Sequence, residues 1–159
     1  GVTTIGNCAF YDCDKLTSVT IPKSVLRIGG GAFWQCNSLT SFYVAKGNSR
    51  YKVIDGLLIE DDDMLVAIPG NLENLQIPNF VTRIGNHVNI AIGNLKSVTI
   101  PNGVTKIGER AFFGSGLTSV EIPSSVKRIC DSAFAFCFKM TRFLSKHRSN
   151  APDLFTQRS

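Results

Sequence analysis

One phrase, written out between Leu16 and Ser38 and begun again at Leu39, constrains this chain more than any other feature. It reads Leu16-Thr-Ser-Val19-Thr-Ile21-Pro22, then Lys23-Ser-Val25-Leu-Arg-Ile28-Gly29, then Gly-Gly-Ala32-Phe33-Trp-Gln-Cys36-Asn-Ser38. A second copy runs from Leu95-Lys-Ser-Val98-Thr-Ile100-Pro101 through Val104 and Ile107-Gly108 to Ala111-Phe112. Gly6 to Gly29 and Gly85 to Gly108 are each 23 residues, and Gly108 to Cys130, its replacement, is 22. The prolines keep the same beat, with 23 residues from Pro78 to Pro101 and 22 from Pro101 to Pro123. Self-similarity at such a period marks a stacked array in which each repeat is one unit of the fold.

Each third of the phrase carries its own local signal. Leu-x-x-Val-x-Ile alternates apolar and polar residues, the pattern of a half-buried strand. Proline has no N–H for a ladder, so Pro22, Pro78, Pro101 and Pro123 close that strand. Val-x-x-Ile-Gly is a second short extended piece with a glycine corner. Ala-Phe-x-x-Cys-x-x-Leu spaces apolar groups three and four apart, which predicts a short helical turn on the outer side. No coil buries its own apolar edge. Stacking five, plus a shortened terminal coil running through Phe143-Leu144 to Leu154-Phe155, is therefore expected to give one continuous core and one parallel sheet.

The spacing breaks once, between Gly29 and Gly85, which are 56 residues apart. There Val53-Ile-Asp-Gly-Leu57-Leu-Ile59 and Met64-Leu-Val-Ala-Ile68 flank Glu60-Asp61-Asp62-Asp63, two apolar runs about a polar turn. This predicts a β-hairpin, inserted over about 45–74 and closed by Pro69-Gly70. The coil after it is the weakest match. Val88-Asn89 stands where Ala-Phe is expected, with Ile90 and Ile92 available to fill the space.

A length of 159 residues suffices for a single domain over 1–159. Apolar residues make up 43% and charged residues 18%, so the chain folds rather than staying disordered. No apolar run is long enough to insert into a membrane. The sequence enters in mid-repeat without a basic-then-apolar leader, and is read as mature or excised. The net charge of +5 permits an anionic partner without demanding one. Five cysteines without a CxxC pair do not form a zinc or thioredoxin-type motif. Cys13, Cys36 and Cys137 each follow the repeat Phe by three residues, a position for a small buried thiol. A Cys13–Cys36 bridge is the alternative, since adjacent strands lie about 4.8 Å apart.

The full phrase, Leu-x-x-Val-x-Ile-Pro-x-x-Val-x-x-Ile-Gly-x-x-Ala-Phe-x-x-Cys-x-x-Leu, resembles the BspA-like leucine-rich repeat of bacterial and protist surface proteins. The likeness covers Val2 to about Phe155 and includes the inserted hairpin. It departs at Val88-Asn89, at Ser115 for Cys and at Cys130 for Gly. The resemblance implies a right-handed solenoid arc, with a parallel sheet on the concave face and helical turns on the convex face. It also implies a secreted or surface-displayed protein that binds proteins or other host ligands, and it brings no catalytic residue and no cofactor.

Candidate sites follow from the register. Ser18, Thr20, Ser41, Tyr43, Ser97, Thr99, Ser119 and Glu121 should line the concave strand face, the usual binding surface of a solenoid. Alternatively, these hydroxyls merely solvate a sheet. Arg27, Arg83, Lys106 and Arg128 each precede the Ile of Val-x-x-Ile, so stacking should align them as a basic column, extended by Lys127, Lys46, Arg50 and Lys52. Such a column could hold a sulfated glycan, a lipid headgroup or nucleic acid, of which nucleic acid is not favoured, because interleaved stacking aromatics are missing. Its plainer reading is a solvated turn whose aliphatic stems cover the core. Asp61-Asp62-Asp63 lacks the spacing of a calcium loop and reads as the hairpin tip, so no metal site is expected. His87 and His147 form no triad with a nucleophile. Tyr11, Trp34 and Phe113, each next to the repeat Phe, read as packing between coils. The sequence therefore points to a non-enzymatic binding module for a protein ligand, such as a host extracellular protein. The alternatives are a spacer that displays another domain, or a polyanion binder.

Overall fold

The computed structural model describes residues 1–89, 91 and 93–145, and these form a β-solenoid of about six turns. The strands are β1 (Thr4–Ile5), β2 (Ser18–Ile21), β3 (Arg27–Ile28), β4 (Ser41–Val44), β5 (Tyr51–Ile54), β6 (Leu57–Glu60) and β7 (Met64–Ala67). They continue with β8 (Asn74–Gln76), β9 (Arg83–Ile84), β10 (Ser97–Thr99), β11 (Lys106–Ile107), β12 (Ser119–Ile122), β13 (Arg128–Ile129) and β14 (Arg142–Ser145). Each Leu-x-x-Val-x-Ile strand with a proline stops before it: β2 ahead of Pro22, β8 ahead of Pro78, β10 ahead of Pro101, β12 ahead of Pro123.

Among the described residues no helix forms, so the helical turns expected on the outer side are corrected to turns. The reason is a left-handed residue at a fixed place in every coil. Cys8, Gly31, His87, Arg110 and Ser132, each two residues past the corner residue, have φ of 53, 65, 52, 49 and 56°. A second set four residues on, Asp12, Gln35, Gly114 and Phe136, has φ of 59, 61, 64 and 59°. A right-handed helix cannot pass through such residues. Between them the outer loop turns its N–H groups along the stack. Phe10 N–H donates to Ala32 O and Phe112 N–H to Ala133 O, both at 2.8 Å.

The strands of the phrase also differ from the single sheet expected. Those of the Leu-x-x-Val-x-Ile type pair two by two, β2 with β4, β8 with β10, and β12 with β14, all parallel. The insertion separates β4 from β8. The coil that is one residue short after Phe112 delivers β12 beside β10 without a ladder. The longer ladder belongs instead to the short Val-x-x-Ile strands, in a six-stranded sheet ordered β13-β11-β9-β7-β6-β5. Leu65, Ile84, Ile107 and Ile129 are opposed in one file. Ile28 is not in it; it pairs with Ile5 in a separate β1–β3 sheet.

The expected hairpin is a three-stranded antiparallel meander, β5-β6-β7. Its first turn is Asp55-Gly56, with φ of 51° and 79°, the two left-handed residues that a tight hairpin turn requires. β7 joins the parallel ladder at β9, β6 is buried at all four residues, and β5 lies beside β4. The meander therefore crosses the interior as a wall. Leu57, Ile59 and Leu65 face a core built from the later coils; Tyr51, Leu58 and Ala67 face a core built from the first two. The single core expected from the repeat is thus two cores back to back. This explains the unbroken apolar run Leu57-Leu58-Ile59, since a strand buried on both faces has no polar side. Each core holds its own stack of repeat Phe rings: Phe10 on Phe33 at 5.7 Å, and Phe112 on Phe134 at 5.4 Å. Between them, Asn89 replaces the ring and is buried, its Nδ2 donating to Phe113 O at 3.4 Å. Ile90, Ile92 and the terminal coil beyond Ser145 lie outside the described residues.

The left-handed register is testable. Gly31→Ala should destabilise the chain by about 1–2 kcal/mol, because its Cβ meets nothing closer than 3.5 Å and only the backbone objects. Ser132→Gly, at the same register, should stabilise it by up to about 1 kcal/mol. Denaturant melts that moved both variants in the same direction would contradict this account of the outer turns.

Candidate functional site

The strand-face residues are brought into register in separate pairs. Ser18 opposes Ser41 and Thr20 opposes Tyr43. Ser97 opposes Asn74 and Thr99 opposes Gln76. Ser119 opposes Arg142 and Glu121 opposes Leu144. All eight expected residues are at least partly exposed, and Tyr43, at 57%, is the large aromatic among them. With β5 beside β4, Tyr43 and its neighbours form a patch apart from the one over β8, β10, β12 and β14. Four further residues belong to that surface: Asn74, Gln76, Arg142 and Leu144. Their strand pattern, Asn74-Leu75-Gln76-Ile77-Pro78 above all, was the signal for them in the sequence. Asn74 Oδ1 accepts from Ser97 Oγ at 2.7 Å.

The basic residues divide. Lys106 opposes Arg83 on one side and Arg128 on the other, whereas Arg27 opposes Thr4 in the separate β1–β3 sheet. Arg83 is already committed, its Nη2 lying 2.6 Å from Asp63 Oδ1, while Thr82 Oγ1 donates to the same carboxylate. The acidic run is the β6–β7 turn, and each member faces a different cation. Asp61 meets Arg50 at 3.3 Å, Asp62 pairs with Lys52, and Asp63 with Arg83. Buried Glu60 holds Arg50 Nε at 2.8 Å. The carboxylates therefore diverge, and no three His, Cys, Asp or Glu side chains converge among the described residues. Asn48 fastens the start of the insertion. Its Nδ2 donates to Pro22 O and Val25 O, and its Oδ1 accepts from the N–H groups of Arg50 and Tyr51.

On the outer side Tyr11, Trp34, Phe113, Phe136 and Phe138 follow one another in tilted or edge-to-face contact, with ring centroids 4.9–5.6 Å apart. Trp34 also meets His87 at 5.2 Å. Trp34 and Phe113 are partly buried between coils, whereas Tyr11, Phe136 and, most of all, Phe138 stay exposed. His147 lies outside the described residues. All five thiols are free. Cys36 Sγ donates to Phe10 O at 2.8 Å and Cys137 Sγ to Phe112 O at 3.3 Å, so the repeat thiol caps the carbonyl of the preceding coil's Phe. Burial pushes both thiols up, which keeps them protonated and unreactive.

A scan against family models matches residues 1–54 and 68–151 to six copies of the BspA type leucine rich repeat region. The chain belongs to that family. The gap in the match falls on the crossing wall, so the BspA-type repeat proper consists of the coils on either side. No curated protein sequence matches significantly. Among solved structures, a leucine-rich repeat protein from Eubacterium ventriosum is 27% identical with a TM-score of 0.84, over 92% of this chain and 40% of that one. A leucine rich cell surface protein from Faecalibacterium prausnitzii is 24% identical, TM-score 0.63, over 92% of this chain and 52% of the other. The pneumococcal vaccine antigen PcpA is 22% identical, TM-score 0.70, over 87% and 41%. The last two likenesses concern the fold alone. The chain spans between 40 and 52% of the length of these structures.

Two groups at the seam between the cores link the fold to pH. Burial first, and the Arg110 charge second, hold the His87 imidazole below its ordinary value of 6.5. The hydrogen bond from Arg83 holds Asp63 below its ordinary 3.8. In both cases the unfolded chain binds protons more readily than the folded one, so acid destabilises the fold. The melting temperature should fall as pH drops below 6.5, and fall further below 3.8. His87→Phe should flatten the first slope and leave the second; an unchanged first slope would contradict the assignment.

Proposed function

We propose that this BspA-type repeat chain is a non-catalytic recognition module of an extracellular or cell-surface protein, binding a protein ligand through its strand face. The observation that carries the reading is the Tyr43 patch. One large, half-exposed ring stands among the small hydroxyls of Ser18, Thr20 and Ser41, an arrangement that gives area and specificity at low entropy cost. Ser97, Thr99, Ser119 and Glu121, with Asn74 and Gln76, form the second, polar patch of the strand face, on the concave side of a right-handed arc. The family supports recognition or display in general terms, and the names of two neighbours refer to a cell surface protein and a vaccine antigen. No helix among the described residues is long and apolar enough to cross a membrane.

A second reading, binding of an anionic glycan through Lys106 and Arg128, is favoured by their register on adjacent strands. Arg83 contributes less, because Asp63 compensates it. The two readings separate by salt and by variant. On an array of extracellular-matrix and serum proteins, the strand-face reading predicts a hit that survives 0.5 M salt and weakens at least about 10-fold with Tyr43→Ala. A hit lost in that salt and abolished by Lys106→Glu, with Tyr43→Ala bound as well as the parent, would overturn it in favour of the polyanion reading.

A further inference from the structure

The first, third and fourth coils each hand a fixed set of backbone groups to the next one. The carbonyl of the Val-x-x-Ile isoleucine accepts from the following corner residue: Ile5 O from Gly29 N–H, Ile84 O from Gly108 N–H, Ile107 O from Cys130 N–H. The carbonyl two residues earlier accepts likewise, as Thr82 O does from Thr105 and Thr105 O from Lys127. Three outer-loop N–H groups donate forward, those of Cys8, Phe10 and Asp12 in the first coil to Gly30, Ala32 and Trp34. In the second coil the matching groups are Leu26 O, Ile28 O and the N–H groups of Gly31, Phe33 and Gln35. None of the five has a hydrogen-bond partner among the described residues. The one N–H of β3 that turns to this side, Ile28, donates to the Tyr51 hydroxyl at 2.8 Å rather than to a strand.

The meander is the cause. β7 occupies the place that should pair with β3, but its free edge is taken by β6. β7 also cuts the corner: Leu65 opposes Ile84 and Ile68 opposes Asn89, so three residue steps (68 − 65) cover what the next coil covers in five (89 − 84). The shortfall leaves an open cleft of about 220 Å³ between the unpaired edge and the wall. Ile28 through Phe33 form one side of it, and Met64, Val66 and Ala67 the other. Its charged lining is Glu60, Arg83 and Lys106. Glu60 is compensated by Arg50 and Arg83 by Asp63, whereas Lys106 is in no ion pair among the described residues. His87 also lines the cleft, and its Nδ1 is buried without a hydrogen-bond partner among the described residues.

Of the five, the groups of Ile28, Gly31 and Phe33 belong to residues lining the cleft, opposite the apolar side chains of Met64, Val66 and Ala67. A row of unpaired main-chain donors and acceptors is complementary to another extended backbone, because such groups are costly to leave unpaired. We propose that this cleft binds a short extended peptide carrying a carboxylate, its main chain completing the edge of the second coil and its acid meeting Lys106. The site is separate from the Tyr43 face. Peptide addition is chosen over a bare anion because the edge offers carbonyls as well as N–H groups, and carbonyls repel anions.

The test titrates the 15N-labelled chain with acetylated, amidated tetrapeptides in which Asp or Asn occupies each position in turn among Val, Ala and Thr. Some Asp peptides should shift the amides of Gly31, Phe33 and Gln35 and slow their hydrogen exchange at least tenfold. The Asn counterparts should bind at least tenfold more weakly. Lys106→Glu, an exposed change, should abolish the effect, as should Met64→Trp, which fills the cleft; Tyr43→Ala should not alter it. The proposal is overturned if no tetrapeptide moves those amides at millimolar concentration, or if free acetate reproduces the shifts. It is equally overturned if, in the free chain, the three amides already exchange as slowly as those of Cys8, Phe10 and Asp12.

Discussion

A coil in this fold cannot stand alone, because its backbone polar groups on both edges are satisfied only by the coils before and after it. That requirement of matched edges organises the rest. It places Leu65, Ile84, Ile107 and Ile129 in one internal file. It also sets the repeat Phe rings face to face within each half, and it turns the polar residues of alternating strands outward. Stability in such an array is the sum of neighbour contacts, so the place where neighbours fail to match matters most.

That place is the insertion. A strand meander that joins the ladder at β7 and crosses to β4 cannot also pair with β3, so the array is interrupted on one side while remaining packed on the other. The interruption is stabilised by specific substitutes. The Tyr51 hydroxyl takes the Ile28 N–H, and the Asn48 side chain takes carbonyls of the second coil. The acidic turn takes the cations of β5 and β9. Burial pushes the Tyr51 phenol up, so it stays a neutral hydroxyl in that role. Any binding surface built on the strands is consequently two patches, and the seam between them has its own unpaired edge.

Much of this was legible in the sequence. Periodicity gave the coils, the strands and their prolines, and the facing of Ser18, Thr20 and the other outward residues. The acidic run was legible as a turn. What escaped was local or non-repetitive. The left-handed register at Cys8, His87, Arg110 and Ser132 is invisible to residue type, since only Gly31 among its members advertises such a backbone; stacking forces it on the others. Apolar spacing of three and four therefore mimicked a helix. The crossing of β6 was written in Leu57-Leu58-Ile59, an apolar run with no polar face, and the extra strand in Asp55-Gly56. Both signals are short, and both were absorbed into a hairpin. Arg27 illustrates the same limit: its place in the repeat matched Arg83 and Lys106, but the insertion moved it to another sheet.

The central claim is that β6 is a wall with a separate core on each side, and two adjacent leucine-like residues report on it directly. Leu58 and Ile59 are neighbours in sequence and face opposite cores, and each truncation to alanine should cost about 2–5 kcal/mol. Residue-resolved native-state hydrogen exchange on the two variants is the decisive measurement. Leu58→Ala should loosen chiefly the amides of residues 5–44, and Ile59→Ala chiefly those of residues 75–134. Protection lost evenly along the chain in both variants would mean a single core, and would contradict the account.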